Sequence, residues 1–205
     1  MNSQWANMIQ EQLMRRGISD ARVLQAFEAV DRAQFVLPEY RSMAYDDGPL
    51  PIGFDQTISQ PYIVGLMTAS ILPDKDAPSV ALEIGAGCGY QTAILCQIFR
   101  AVISFERVPE LAERARATLH SLGIQNFELH SGDGSRGLPG KEFDGILGAA
   151  AFTSYPEYLE EQLAPGGKMV LPAGRGSQFL YMVERRERIL RKRLIAVRFV
   201  PMIQD

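Results

Sequence analysis

The stretch Leu82-Glu83-Ile84-Gly85-Ala86-Gly87-Cys88-Gly89-Tyr90-Gln91 decides the fold. Val80-Ala81-Leu82 just ahead of it is a short apolar run, the mark of a buried strand. Behind it, residues 91–99 carry apolar side chains at 94, 95, 98 and 99, the spacing of one helix face. Strand, glycine turn and helix together place a ligand at the carboxyl end of the strand in an open α/β sheet. The glycines allow a sharp turn and let a ligand approach where a Cβ would clash.

Downstream, strands and helices alternate. Residues 101–106 read as a strand, and Pro109 opens a helix that stops near Gly123. Residues 127–130 read as a third strand and 145–147 as a fourth; Pro156 opens a short helix, and Gly166-Gly167 turns the chain into a strand over 168–171. The tail alternates apolar and polar residues around Phe179, Tyr181 and Val183, then around Leu194, Ala196, Arg198 and Val200, with a basic turn between. This order predicts an α/β fold with a doubly wound, mainly parallel sheet closed by an antiparallel C-terminal strand pair.

Upstream, residues 4–17 form an amphipathic helix with Trp5, Met8, Ile9 and Leu13 on one face and Gly17 as its stop. Ser19 caps a second helix, whose apolar face is Val23, Leu24, Phe27 and Val30. Residues 1–44 therefore read as a helical cover. Residues 45–61 hold turn formers without a regular period, a long loop of the functional kind. Pro61 then suits the first turn of a helix with Ser59 or Gln60 near its cap, and with Ile63, Leu66, Met67 and Ser70 facing inward. Residues 79–205 make the α/β core, and the 205 residues read as one domain.

Composition narrows the partners. Hydrophobic content of 46% and charged content of 22% are those of an ordinary globular protein, and a net charge of −3 gives no reason to expect nucleic acid. No apolar run approaches the roughly 18 residues of a membrane helix, and the amino terminus lacks a secretion signal. The two cysteines, Cys88 and Cys96, form neither a zinc set nor a disulfide framework. His120 and His130 have no metal-ligating partner at usable spacing, so no metal site is expected. A cytoplasmic monomer is the expectation. The dense charge at Arg185-Arg186-Glu187-Arg188 and Arg191-Lys192-Arg193 reads as the solvated turn of a hairpin.

The turn does not ask for a dinucleotide. That fingerprint is G-x-G-x-x-G, and Tyr90 stands where its third glycine belongs. Glu106 ends the second strand, where a carboxylate accepts ribose hydroxyls, and Asp133 ends the third in Ser131-Gly132-Asp133-Gly134, beside an adenine amino group. Glycine turn and two acids in this order resemble the Rossmann-like class I methyltransferase fold, which binds S-adenosylmethionine.

From about Met43 to Met202 the sequence resembles the protein-L-isoaspartate O-methyltransferases. The segments that carry the resemblance are Pro49-Leu50-Pro51-Ile52-Gly53, Gln56-Thr57-Ile58-Ser59-Gln60-Pro61-Tyr62-Ile63-Val64, Leu82-Glu83-Ile84-Gly85, Gly132-Asp133-Gly134, Gly166-Gly167 and Val197-Arg198-Phe199-Val200-Pro201. It implies methyl transfer from S-adenosylmethionine, leaving S-adenosylhomocysteine, to L-isoaspartyl or D-aspartyl carboxylates of damaged proteins and peptides, with repair through a succinimide. It puts the active-site hydroxyl on Ser59, with Thr57 and Ile58 lining the same pocket. Gln56, Glu83, Gly85, Ala86, Gly87, Glu106, Arg107, Asp133 and Gly134 fall on cofactor positions. Val197, Arg198, Phe199, Val200 and Pro201 fall on a strand that holds the substrate peptide.

The sequence also departs from the family. Asp55 replaces a usual glycine, Cys88 a usual serine, Gly148-Ala149 a usual Val-Thr pair and Phe152-Thr153 a usual Pro-Pro. An added carboxylate at Asp55 would repel a substrate carboxylate in a dry site. These changes motivate two alternatives: a paralogue methylating another carboxylate, and a cofactor-binding protein without catalysis.

Overall fold

The structure, a computed structural model, describes residues 1–73 and 79–203; Gln204 and Asp205, at the end of the expected core, lie outside them. Its centre is a seven-stranded sheet in the order β5-β4-β3-β6-β7-β8-β9. The strands are β3 Val80–Ile84, β4 Ala101–Glu106, β5 Phe127–Ser131, β6 Phe143–Gly148, β7 Leu163–Ala173, β8 Gln178–Arg185 and β9 Ile189–Val197. β3 through β7 pair in parallel, and β7–β8–β9 close the sheet antiparallel. Strand order reverses at β3, which is flanked by β4 and β6, so the turn after β3 opens onto the crevice where such sheets receive ligands.

Alternation along the strands builds two apolar layers. Ala81, Val102, Leu147, Val170 and Leu180 face the helices α1 Ser3–Met8, α2 Ala21–Ala29, α3 Pro61–Ser70, α4 Tyr90–Cys96 and α5 Pro109–Ser121. Leu82, Ile84, Ile146, Met169 and Leu171 face the other way, under Leu159 of the 3₁₀ turn Glu157–Gln162.

Several expectations need adjustment. The first helix continues beyond α1 through a π segment, Ile9–Leu13, and a 3₁₀ turn, Met14–Arg16, before Gly17 stops it. Asp20, not Ser19, caps α2: its carboxylate accepts the Arg22 N–H at 2.9 Å. α4 ends at Cys96, short of Phe99. α3 buries Val64, Met67, Thr68 and Ser70, while Ile63 and Leu66 are half-buried. Gly166-Gly167 does not precede β7 but lies within it, with Gly166 at φ +79° and a shift in the β6–β7 register beside Phe143. The step from Phe143 to Gly145 on β6 spans Leu163 to Lys168 on β7, so the longer β7 segment bends out of the ladder there.

The expected loop 45–61 holds a small hairpin, β1 Leu50–Gly53 and β2 Gln56–Ile58. Gly53 pairs with Gln56, so Phe54 and Asp55 are the two turn residues, with φ of 55° and 56°. Left-handed backbone at both positions is what a type I′ hairpin requires. Glycine at 55 suits that conformation best, and aspartate is among the residues that tolerate it.

Candidate active site

The hairpin lies across the end of the sheet. Ile52 is fully buried, and Arg114 on α5 donates to its carbonyl. Between the hairpin and the turn after β3 is an open cavity. Gln56, Thr57, Ile58 and Ser59 line one wall; Gly85, Ala86, Gly87, Glu106, Arg107, Asp133 and Gly134 line the other. These residues, separate in sequence, face one space.

Each wall has a local cause. The Gly85 and Ala86 N–H groups both donate to the Phe105 carbonyl, at 2.8 and 2.9 Å, which ties the turn to β4. Gly87 has φ +57°, and a Cβ there would press on the Ile52 side chain at 3.2 Å. Glu106 is 6% exposed; its Oε2 accepts the Gly87 N–H at 2.7 Å and its Oε1 the Val108 N–H at 2.9 Å. Both oxygens are thereby fixed with lone pairs to spare, the requirement for accepting two further hydroxyls. Asp133 accepts the Ser135 N–H at 2.8 Å. A side chain on Gly134 would collide with Phe105, which lines the cavity and stacks on His130 at 5.1 Å.

Glu83 is the expected cofactor residue that the structure does not bring to the cavity. Alternation along β3 turns it to the same side as Ala81, under α4. It is fully buried, and its Oε2 accepts the Thr92 and Ser104 hydroxyls at 2.5 and 2.6 Å. Among the described residues its Oε1 has no partner. Burial pushes its pKa up to about 7, against the pull of those two hydroxyls. Cys88 is also buried, its thiol pushed up by burial to about 11, so it packs as a small apolar group.

A second cleft adjoins the first, lined by Pro49, Gln60, Ile63, Ala196, Val197, Arg198 and Phe199. Thr57, Ser59, Ala149 and Val200 line both. Ser59 is half-buried, Gln60 caps α3 without a side-chain bond, and the Ser59 hydroxyl has no hydrogen bond among the described residues. Helix capping therefore does not account for this serine.

The tail differs from the expected strand. β9 ends at Val197, and Pro201 bridges to Ala151. Gln178 takes the Phe199 N–H and carbonyl at 2.6 and 3.1 Å, and Ala151 takes the Val200 carbonyl and the Met202 N–H, each at 2.8 Å. Those backbone groups are spent inside the chain, so this segment meets the cleft chiefly with side chains. Pro201 lines the first cavity instead of the second. Asp55 is exposed at the hairpin tip and lines neither space, which removes the grounds for charge repulsion inside the pocket.

Sequence reasoning missed Val64 and Met67 as wall residues, along with Phe105 and Ala149. A helix stripe such as Met67 gives no sign of which buried positions border a cavity. The basic hairpin is partly neutralised in place: Arg185 pairs with Glu142, Arg186 with Glu184, and Arg191 with Glu157 and Glu160. Among the described residues no cluster could hold a metal ion, and no helix is long and apolar enough to cross a membrane.

The protein-L-isoaspartate(D-aspartate) O-methyltransferase family model matches residues 3–205. A protein-L-isoaspartate O-methyltransferase of Bordetella avium is 48% identical over 196 residues, covering 94% of this chain and 74% of that one. One from Methanoregula boonei is 47% identical, covering 96% and 91%. A Plasmodium falciparum structure described as the same enzyme, solved in complex with S-adenosyl-L-homocysteine, superposes with a TM-score of 0.84 at 26% identity over the full length of both chains. With its two adjoining clefts and a match from residue 3 to residue 205, the chain belongs to the protein-L-isoaspartate(D-aspartate) O-methyltransferase family.

Proposed function

We propose that this chain binds S-adenosylmethionine in the first cavity, takes an isoaspartyl segment in the second, and joins them at Ser59. It is a methyltransferase that transfers the methyl of S-adenosylmethionine to L-isoaspartyl carboxylates. The residues present fit the cofactor. A fixed carboxylate at Glu106 suits two ribose hydroxyls, and Asp133 suits an exocyclic amine. Gly85, Ala86, Gly87, Gly134, Gln56 and Arg107 complete the holding wall. Bound there, the cofactor supplies an electrophilic methyl group on a sulfonium.

The chain's own share is positional. An aspartyl-type carboxylate, with a pKa of about 4, is already ionised at neutral pH. It needs no general base to become a nucleophile. The free Ser59 hydroxyl donates to one carboxylate oxygen and leaves the other to attack. Thr57, Ile58, Ala149 and Val200 line the wall beside it. Holding reactants about 3–3.5 Å apart in a dry site supplies several kcal/mol. Val197, Arg198 and Phe199 hold the substrate chain on the far side. The following backbone nitrogen then attacks the methyl ester and expels methanol to give a succinimide, which water opens in part to normal aspartate; neither step needs the enzyme. A monomer in the cytoplasm is part of this reading, and the two free, buried cysteines suit the reducing conditions there.

The observation that carries this reading is the wall shared by the two cavities, with an unbonded hydroxyl on it. Ser59→Ala tests it. Turnover with an isoaspartyl peptide should fall by about tenfold or more while cofactor affinity stays within about twofold. Full turnover would remove Ser59 from the mechanism.

A further inference from the structure

Arg32 is 0% exposed, an unusual place for a guanidinium. It opens the 3₁₀ turn Arg32–Gln34 behind α2, where Asp31 caps the turn by accepting the Ala33 N–H at 2.9 Å. Among the described residues no carboxylate lies within ion-pair distance of it. Its partners are neutral carbonyls: Nη1 donates to Ala44 at 2.5 Å, and Nη2 donates to Gly48 at 3.1 Å and to Ser59 at 3.0 Å. Nε has no partner. Burial lowers its pKa from the ordinary guanidinium value, while Tyr90, Cys88 and Asp46 push it back up.

The placement of those carbonyls matters more than their number. Gly48 lies just before β1 and Ser59 just after β2, so a single Nη2 joins the two ends of the hairpin at its base. Ala44 ends the 3₁₀ helix Pro38–Met43 of the amino-terminal cover. One planar group thus fastens cover, hairpin and the residue before the α3 cap. A buried charge with only neutral acceptors is costly to keep, and an unmade bond to a buried carbonyl is costly as well. A hydrophobic residue would fill the space without meeting three convergent carbonyls.

We propose that Arg32 is a positioning residue for methyl transfer, holding the Ser59 backbone so that its hydroxyl stands on the wall between the two cavities. This rests on the catalytic reading of Ser59. The amino-terminal helices then do more than cover the sheet, since they carry the clamp that sets the active hydroxyl. Lysine cannot replace it, because one ammonium lacks the planar fork that spans Ala44 on one nitrogen and Gly48 with Ser59 on the other.

The test uses Arg32→Lys, Arg32→Gln, Ser59→Ala and the two double variants of the full chain. Each is assayed for kcat with an isoaspartyl peptide, for cofactor affinity by calorimetry and for melting temperature. Arg32→Lys or Arg32→Gln should fold, bind cofactor within about twofold and lose about tenfold or more in kcat. In the Ser59→Ala background the same change should cost less than about twofold, since it acts through a hydroxyl already gone. A full loss repeated in that background overturns the proposal and leaves the Ser59 reading standing. Full turnover of Ser59→Ala alone removes both. Unfolding or loss of cofactor binding in both Arg32 variants also overturns it, because the clamp would then serve the fold and not the hydroxyl.

Discussion

Phe152 packs into the space that Gly148 leaves open. A Cβ on Gly148 would come within 3.4 Å of the Phe152 ring and 3.0 Å of the Leu171 Cβ, and Phe152 is 2% exposed. A small residue on β6 thus stands against a large one in the loop behind it. Gly148→Val should destabilise the chain by about 1–3 kcal/mol through overpacking, and Phe152→Ala by about 3–5 kcal/mol through a cavity. The double variant should lose clearly less than the sum in urea melts. Additive losses would separate the two sites.

Glu106 is held by two backbone N–H groups, and an amide in its place would turn a donor towards one of them. Glu106→Gln should weaken cofactor binding by roughly tenfold to a hundredfold, the cost of about 1.5–3 kcal/mol for bonds to a charged group. Calorimetric titration with S-adenosylhomocysteine measures this. Unchanged affinity would take Glu106 out of the site.

Asp55 is a matter of turn conformation. Its φ of 56° is strained for most side chains and free for glycine. Asp55→Gly should leave turnover within about twofold and raise stability by a few tenths to about 1 kcal/mol. A large gain in turnover for isoaspartyl peptides would return the charge at 55 to the mechanism.

Glu83 gives the fold a pH dependence. Its pKa is raised from 4.5 to about 7 by burial, so the folded chain keeps this proton where the unfolded chain has lost it. Its contribution is fully present below about pH 4.5 and is lost as pH rises to about 7, beyond which it changes no further. The span corresponds to about 3 kcal/mol. Glu83→Gln should flatten this part of the stability profile, read as the difference between the two proteins from pH 4.5 to 8. Parallel profiles would mean that Glu83 is ionised in the fold.

The sheet was legible because its signals are local: glycines at the turn after β3, apolar runs, and prolines at the start of α3 and α5. The hairpin was not. Its strands are four and three residues long, one contains Pro51, and Asp55 stands where glycine would have announced the turn. Glu83 was assigned to the cofactor because the motif places it beside the turn. Its true partners, Thr92 and Ser104, lie on other elements, and only the facing of β3 brings them in. Arg32 followed a helix like any surface arginine, and the carbonyls that bury it come from three later segments. Ser59 is an expectation from resemblance alone, and its lack of a capping role was visible only in three dimensions.

The central claim is methyl transfer to an isoaspartyl carboxylate across the wall at Ser59. The most direct measurement incubates the purified chain with methyl-labelled S-adenosylmethionine and a peptide pair differing only in an isoaspartyl or a normal aspartyl residue, then collects volatile methanol after base. Labelled methanol should appear with the isoaspartyl peptide and not with the normal one. Cofactor binding without any isoaspartyl-dependent methanol would contradict the account.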